Sequence, residues 1–436
     1  MPARTMQPML VTRAYRFAAQ ASLVARVYGG YKLIQALGRV GLAGADGHYA
    51  RHHRRSAEAA YRLATRLEGL PIKVCQFLGS RADILPVEYV EVLSQLQDRV
   101  PPRPLDELRP HLERELGRRL DEVFAALDPA PVASASLAQV HRGRLCDGRE
   151  VAVKIQYPEI ADLVAIDLQN FAVFVDLLAR LEPNFDFRVV LDEVRKYVPL
   201  ELDFVHEADN AERMGAHLAA RPDVLVPPVV REWSTRRLLV MDYAPGVRVT
   251  DVAGLRALGL DPPDVARRLL ELFCEQLLVH GFFHADPHPG NILVQPGGRL
   301  VLLDFGLVKD LPPGFREGML RLVAAIVTGD APAVAAAFRA LGFRTRDDGD
   351  ESLAWLGEAF LGWAIRNGRA YADPEMLAHF GAEMPRRLGT NPLVEIPGDV
   401  LLVGRVMGLL SGIGKQLGSQ ADVGAILLPY LVGAAG

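Results

Sequence analysis

The sequence predicts an α+β fold in three parts: a helical stretch over about the first 130 residues, a β-rich lobe, and a mainly helical lobe interrupted by one hairpin. Three observations predict it. His48 to Leu67, Pro86 to Gln97, Leu105 to Leu116 and Leu120 to Leu127 read as helices, broken at Gly69-Leu70-Pro71 and at Val100-Pro101-Pro102-Arg103-Pro104. At Pro131 the pattern changes. Ala138 to Leu145 and Glu150 to Ile155 read as strands joined by Cys146-Asp147-Gly148-Arg149. Further on, Asn291 to Val294 and Leu300 to Leu303 are short apolar runs around Gln295-Pro296-Gly297-Gly298-Arg299, which reads as a hairpin.

The other elements follow in order. Residues 159–181 read as one long helix and 188–219 as a second helical region. Val224 to Trp233 and Arg237 to Tyr243 are strand-like, and Pro245-Gly246 closes that lobe. From about residue 262 the chain is mainly helical, with an acidic loop at Asp347 to Asp350. There is no internal repeat and no low-complexity tract.

Composition narrows the function classes. A net charge of −4 and a pI near 6.3 give no sign of a nucleic-acid partner. Cys75, Cys146 and Cys274 are widely spaced and form no CxxC pair, which fits a reducing compartment without a disulfide framework or zinc site. Residues 1–45 carry six Arg or Lys and no Asp or Glu. That start fits a helix packed on the domain, a membrane-surface helix or a transit peptide. No stretch reaches 18 uninterrupted apolar residues, so no transmembrane helix is expected. The apolar segments Leu401 to Leu410 and Ala425 to Gly436 fit a buried helix or a membrane-touching tail. The expected location is cytoplasmic, with peripheral membrane contact left open.

The hairpin carries the chemistry. His284-Ala285-Asp286-Pro287-His288-Pro289-Gly290-Asn291 precedes it and Asp304-Phe305-Gly306 follows. An Asp, an Asn five residues later and a DFG turn after a short hairpin form a phosphoryl-transfer signature. Asp286 can orient or deprotonate a hydroxyl or water. Asn291 and Asp304 can hold the Mg²⁺ that bridges ATP phosphates. Upstream, Lys154 in Val151-Ala152-Val153-Lys154 matches a strand lysine that pairs with the α- and β-phosphates. Its partner must be a helical carboxylate, and Glu201, Asp203 and Glu207 are candidates. Met241 and Tyr243, on the strand before Pro245-Gly246, complete the candidate nucleotide contacts.

Two features depart from an ordinary kinase. The phosphate-covering loop is Ala133-Ser134-Ala135-Ser136-Leu137-Ala138-Gln139-Val140 rather than glycine-rich. Alanine lacks easy access to positive φ, so this loop should be stiffer, and its serines could donate to phosphate oxygens. After DFG the connection Leu307 to Pro313 is brief, a helical pattern begins near Phe315, and there is no APE, so the peptide-docking platform looks absent or replaced.

These residues together resemble the UbiB-type atypical kinases, also called the AarF or activity-of-bc-one family, over roughly residues 70–415. Lys73-Val74-Cys75-Gln76 is similar to that family's KxGQ motif. It continues as Phe77-Leu78-Gly79-Ser80-Arg81-Ala82-Asp83-Ile84-Leu85-Pro86, then Leu96-Gln97-Asp98-Arg99-Val100-Pro101-Pro102. Ala133 to Ser136 occupies its alanine-rich loop, Glu201-Leu202-Asp203 matches its ExD motif, and Glu207 falls where it keeps the lysine-paired glutamate. The resemblance implies a two-lobed protein-kinase-like fold with an all-helical extension packed over the active site and a helical C-terminal lobe. Lys73 and Gln76 would point into the cleft, with Lys73 near Glu201. Such a covering would obstruct a protein substrate and implies an ATPase or small-molecule kinase linked to isoprenoid-quinone lipids and membranes. The glycine of KxGQ is Cys75 here, which could reseat the extension or leave a reactive thiol.

The implied organisation is a basic helical region over 1–70 and the KxGQ-type extension over 71–130. An N-lobe over 131–245, a C-lobe core over 246–345 and a C-terminal helical region over 346–436 complete it. The expected activity is Mg²⁺-dependent phosphoryl transfer or ATP hydrolysis supporting quinone or lipid metabolism. A conventional Ser/Thr protein kinase and a nucleotide-gated scaffold binding lipids or a biosynthetic complex are the alternatives.

Overall fold

The computed structural model describes residues 3–39, 45–79, 85–96, 102–182, 188–347, 349–357, 359, 393–395 and 397–433. The motif runs over 80–84 and 97–101, and most of the expected C-terminal helical region before 393, lie outside the described residues. The chain separates into two compact units, Met1–Ala208 with Val229–Tyr243, and Asp209–Pro228 with Ala244–Gly436.

The first unit starts with helices α1 (Ala3–Arg39), α2 (Ala45–Leu67), α3 (Leu70–Gly79), α4 (Val87–Leu93), α5 (Leu105–Leu116) and α6 (Leu120–Val123). Gly117, at φ 64°, ends α5 in the left-handed conformation that glycine adopts without a Cβ penalty. Strands β1 (Phe124–Leu127), β2 (Ala133–Ser134), β3 (Ala138–Leu145) and β4 (Glu150–Gln156) follow, then α7 (Ile160–Leu181), α8 (Arg188–Glu201) and α9 (Phe204–His217). The unit boundary falls inside α9. The 188–219 helical region thus breaks at Leu202-Asp203.

Beyond it come β5 (Val224–Leu225) and β6 (Leu238–Asp242). Strands β1, β3, β4 and β6 make an antiparallel sheet, with β2 paired to β3. Val151, Val153 and Ile155 of β4 and Leu238 and Val240 of β6 are fully buried against Leu108 and Leu112 of α5, which seats the helical extension on the sheet. Each such side chain contributes about 1.5–3 kcal/mol of burial.

Two expectations are corrected here. Leu120 to Leu127 is not one helix. It turns into β1 at Phe124, because Phe124 pairs with Leu145 and extends the sheet. Val224 to Trp233 is not one strand. Val224 and Leu225 pair in parallel with a strand of the second unit, and Arg231–Trp233 is a 3₁₀ turn. Residues 209–228 therefore do not belong with the sheet of the N-lobe.

The N-terminal helix packs on its own unit. Phe17 stacks on Phe174 of α7 at 5.2 Å, and Arg16 is buried rather than displayed, its Nε donating to Asp167 Oδ1 at 2.9 Å.

In the second unit, β7 (Val247–Arg248), α10 (Val252–Ala257) and α11 (Pro262–Glu275) precede β8 (Phe282–His284), β9 (Ile292–Val294), β10 (Leu300–Leu302) and β11 (Val308–Asp310). After these come α12 (Phe315–Thr328), α13 (Ala331–Ala340), β12 (Arg344–Thr345), α14 (Asp350–Gly357), β13 (Leu393–Glu395), α15 (Gly398–Leu417) and α16 (Val423–Gly433). The hairpin forms with Leu300 opposite Val294 and Leu302 opposite Ile292, and Gly297 and Gly298 take positive φ in its turn. Among the described residues only α15 is long and apolar enough to cross a membrane by length and composition. Its Val403, Val406, Leu410, Ile413 and Leu417 are buried within this unit.

Candidate active site

Lys154 stands on β4 between neighbours on both sides, Val140 of β3 and Leu239 of β6. Of the three candidate carboxylates it meets Glu207, in the first turn of α9. Nζ donates to Oε1 at 2.7 Å and Oε2 at 2.8 Å. The Glu207 side chain is 3% exposed, so the pair is strongly desolvated on the acidic side. The ammonium also lies 5.2 Å from the Phe204 ring centroid. Asp203 accepts from Val205 N at 3.1 Å and so caps the start of α9, while Arg236 pairs with it at 2.9 Å. Glu201 takes Lys73 of α3 at 2.5 Å, and Gln76 donates to Leu96 O at 2.8 Å within the extension.

Cys75 sits in a small core with Ala64, Ile72, Leu93 and Leu96. Burial pushes its thiol up to about 12, so it is a packing group and not a reactive thiolate. The alanine-rich loop closes with Ala135 N donating to Ala138 O at 2.8 Å, and none of its residues takes positive φ. Its serines are engaged locally. Ser134 Oγ meets Tyr157 Oη at 3.0 Å and Ser136 is buried. Met241 is buried on β6, and Tyr243 anchors its N–H on Glu150 O at 2.9 Å with the Arg142 guanidinium over its ring.

In the second unit the loop that carries Asp286 is built on buried polar contacts. Gln276, fully buried in a π-turn over Gln276–His280, accepts from His284 N at 2.9 Å. Asp286 N donates to His284 Nδ1 at 3.2 Å. That contact assigns the ring proton to Nε2, which donates to Leu303 O at 3.0 Å. One histidine thus ties the loop to the strand end before DFG.

Asn291 Nδ2 donates to Asp286 O at 3.1 Å, which leaves the amide oxygen as the atom for a metal. Leu303 N donates to Asn291 O at 2.9 Å, continuing the hairpin ladder and bringing Asp304 next in line. Asp304 has φ 57°, and among the described residues only Glu68 shares a positive φ without being glycine. Asp tolerates that region better than most residues. Its Oδ1 accepts from Gly306 N at 3.3 Å. Phe305 is fully buried, edge-on to His284 at 5.6 Å, and its carbonyl accepts from Asn210 at 3.0 Å. Strand β11 then pairs with β8, and Ala285 N donates to Leu307 O at 2.9 Å.

An amide oxygen and a carboxylate from one hairpin are a fitting donor set for Mg²⁺, which prefers oxygen and keeps substrate phosphates and water in its shell. Among the described residues no three-carboxylate or His/Cys cluster offers another cation site.

The ABC1 atypical kinase-like domain matches residues 95–338, more than half of the chain. This chain belongs to the ABC1 atypical kinase-like family. It is similar to AarF domain-containing protein kinase 1 of Gallus gallus, 34% identical over 386 residues, covering 86% of this chain and 73% of that protein. It is also similar to Protein ACTIVITY OF BC1 COMPLEX KINASE 8, chloroplastic, of Arabidopsis thaliana, 35% identical over 349 residues. That match covers 72% of this chain and 46% of the plant protein, so the chain spans under half of that relative. Of solved structures, it is similar to Mycobacterium tuberculosis Rv3197 in its erythromycin complex, with TM-score 0.67, 26% identity, and 89% and 99% of the two chains covered. The α+β, kinase-like fold follows.

In this ABC1 chain several residues that no motif singled out hold the site elements. Gln139 of β3, fully buried, both accepts from Arg103 N and donates to Arg103 O at 2.9 Å, clamping the segment before α5 onto the sheet. The Arg103 guanidinium pairs with Glu159 at 2.5 Å and covers the Tyr157 ring at 4.4 Å. Arg405 of α15 donates to Asp286. Sequence offered a weak signal for two of them: for Gln139, a glutamine inside an apolar strand, and for Arg405, an arginine interrupting the apolar run Leu401 to Leu410.

Proposed function

We propose that this chain is a Mg²⁺-dependent, ATP-consuming atypical kinase or ATPase acting on a small molecule or lipid of the isoprenoid-quinone kind. The observation that carries the reading is the Asn291 amide tied to the Asp286 carbonyl on the ladder that leads into Asp304. In this reading Lys154, fixed by Glu207, binds the α- and β-phosphates. Asn291 and Asp304 hold Mg²⁺, which supplies charge neutralisation on the phosphates when bound. Asp286 orients the attacking hydroxyl or water and takes its proton as the new O–P bond to the γ-phosphoryl forms and the bond from that phosphorus to the β-phosphate oxygen breaks, releasing ADP.

The zipped β8–β11 ladder supports a small or lipid acceptor over a peptide. The chain passes directly from Asp310 to α12 at Phe315, and among the described residues between them there is no extended platform for a polypeptide. The quinone assignment rests on the family relationship. The test is ATP hydrolysis with Mg²⁺, with and without anionic liposomes, comparing the native chain with Asp304→Asn. Turnover stimulated by liposomes and lost in the variant supports the reading. Nucleotide binding without turnover in either condition sinks the ATPase and leaves a scaffold or a kinase awaiting its acceptor.

A further inference from the structure

Asp286 is held by a segment far down the chain. Arg405 Nη2 donates to Asp286 Oδ1 at 3.0 Å across 119 residues of sequence, with the two side chains 31% and 36% exposed. Arg405 projects from α15, whose buried residues Val403, Val406 and Leu410 fix the rod in this unit. The same helix holds the post-DFG strand, because Asp399 in its first turn takes Lys309 of β11 at 3.3 Å. Six residues separate Asp399 from Arg405, about 9 Å along a helix. One rigid rod therefore meets both the catalytic aspartate and the strand after DFG.

We propose that Arg405 is a positioning residue for Asp286, and that α15 does here what a long activation segment does in an ordinary kinase. The inference rests on the phosphoryl-transfer reading above. A carboxylate on a loop presents either oxygen in several rotations. A guanidinium bound to Oδ1 removes that freedom and leaves Oδ2 to accept the O–H of the acceptor. Because the pair is one-third exposed, its removal costs the fold little, which makes its catalytic effect separable from folding.

The experiment is steady-state Mg²⁺-ATP turnover of the full chain carrying Arg405→Gln or Arg405→Lys, with nucleotide affinity and melting temperature measured on the same samples. Arg405→Gln should lower kcat by about 10- to 100-fold, with KM for ATP, nucleotide affinity and melting temperature unchanged. Arg405→Lys, which keeps a charged donor, should recover part of the loss. A kcat for Arg405→Gln within twofold of native, or above it as removal of a block would give, overturns the inference while the proposed function stands. A loss matched by falls in nucleotide affinity and melting temperature overturns it as well. A native chain without turnover removes the ATPase reading on which this inference rests, and this inference with it.

Discussion

Lys154→Met should be far more damaging to the fold than Glu207→Gln, although the two residues form one ion pair. The methionine substitution strips the cation from a carboxylate that is 3% exposed, and breaking such a pair from one side costs about 3–5 kcal/mol. Lys154 itself is 19% exposed, so water reaches the outer edge of the pair and the lower end, about 3 kcal/mol, applies. Glu207→Gln keeps an acceptor for the ammonium and costs about 1 kcal/mol. In a unit of this size each kcal/mol moves the melting temperature by about 2–4 °C. The expected losses at pH 8 are then about 6–12 °C and about 2–4 °C. Thermal unfolding of both variants and of the double variant at about pH 8 checks this, the double variant recovering part of the loss. Equal deficits for the two single variants, or a larger one for Glu207→Gln, would refute the reasoning.

Three further outcomes follow from the packing. Cys75→Gly should cost about 2 kcal/mol by losing burial among Ala64, Ile72, Leu93 and Leu96 and loosening α3, measured by denaturant unfolding. Arg16→Leu leaves the buried Asp167 carboxylate without its guanidinium at a cost of about 3 kcal/mol, and hydrogen exchange should quicken along α1 first. Burial holds His111 below its ordinary value of 6.5, so its stabilisation is complete above pH 6.5 and is lost as pH falls through the depressed folded value; His111→Leu should flatten the melting-temperature slope below pH 6.5.

The candidate site was legible because the proposed phosphoryl transfer needs residue types at short, fixed spacings. Asp286, Asn291 and Asp304 lie within one hairpin, and local pairing alone brings the last two to neighbouring strand ends. The choice of Glu207 over Glu201 and Asp203 came from family resemblance. Geometry gives it a cause: Asp203 is spent capping α9, and Glu201 is spent on Lys73. What stayed hidden was long-range. Phe124 becomes a strand residue only because Leu145 is there to pair with it, a tertiary override of a helical pattern. Arg405 and Gln139 act through partners 119 and 36 residues away, and no local pattern encodes such a partner.

The ladder joining β8 to β11 carries a consequence for inhibitor design. Phe305 is fully buried, its carbonyl is held by Asn210, and the next strand is paired to β8 at Val308, Lys309 and Asp310. A compound that gains affinity by prising the phenylalanine out would have to break that backbone pairing, at about 0.5–1.5 kcal/mol for each hydrogen bond lost. If the proposed function holds, screening is better directed to compounds that occupy only the space of a nucleotide, with selectivity sought at the alanine-rich loop, which has no glycine.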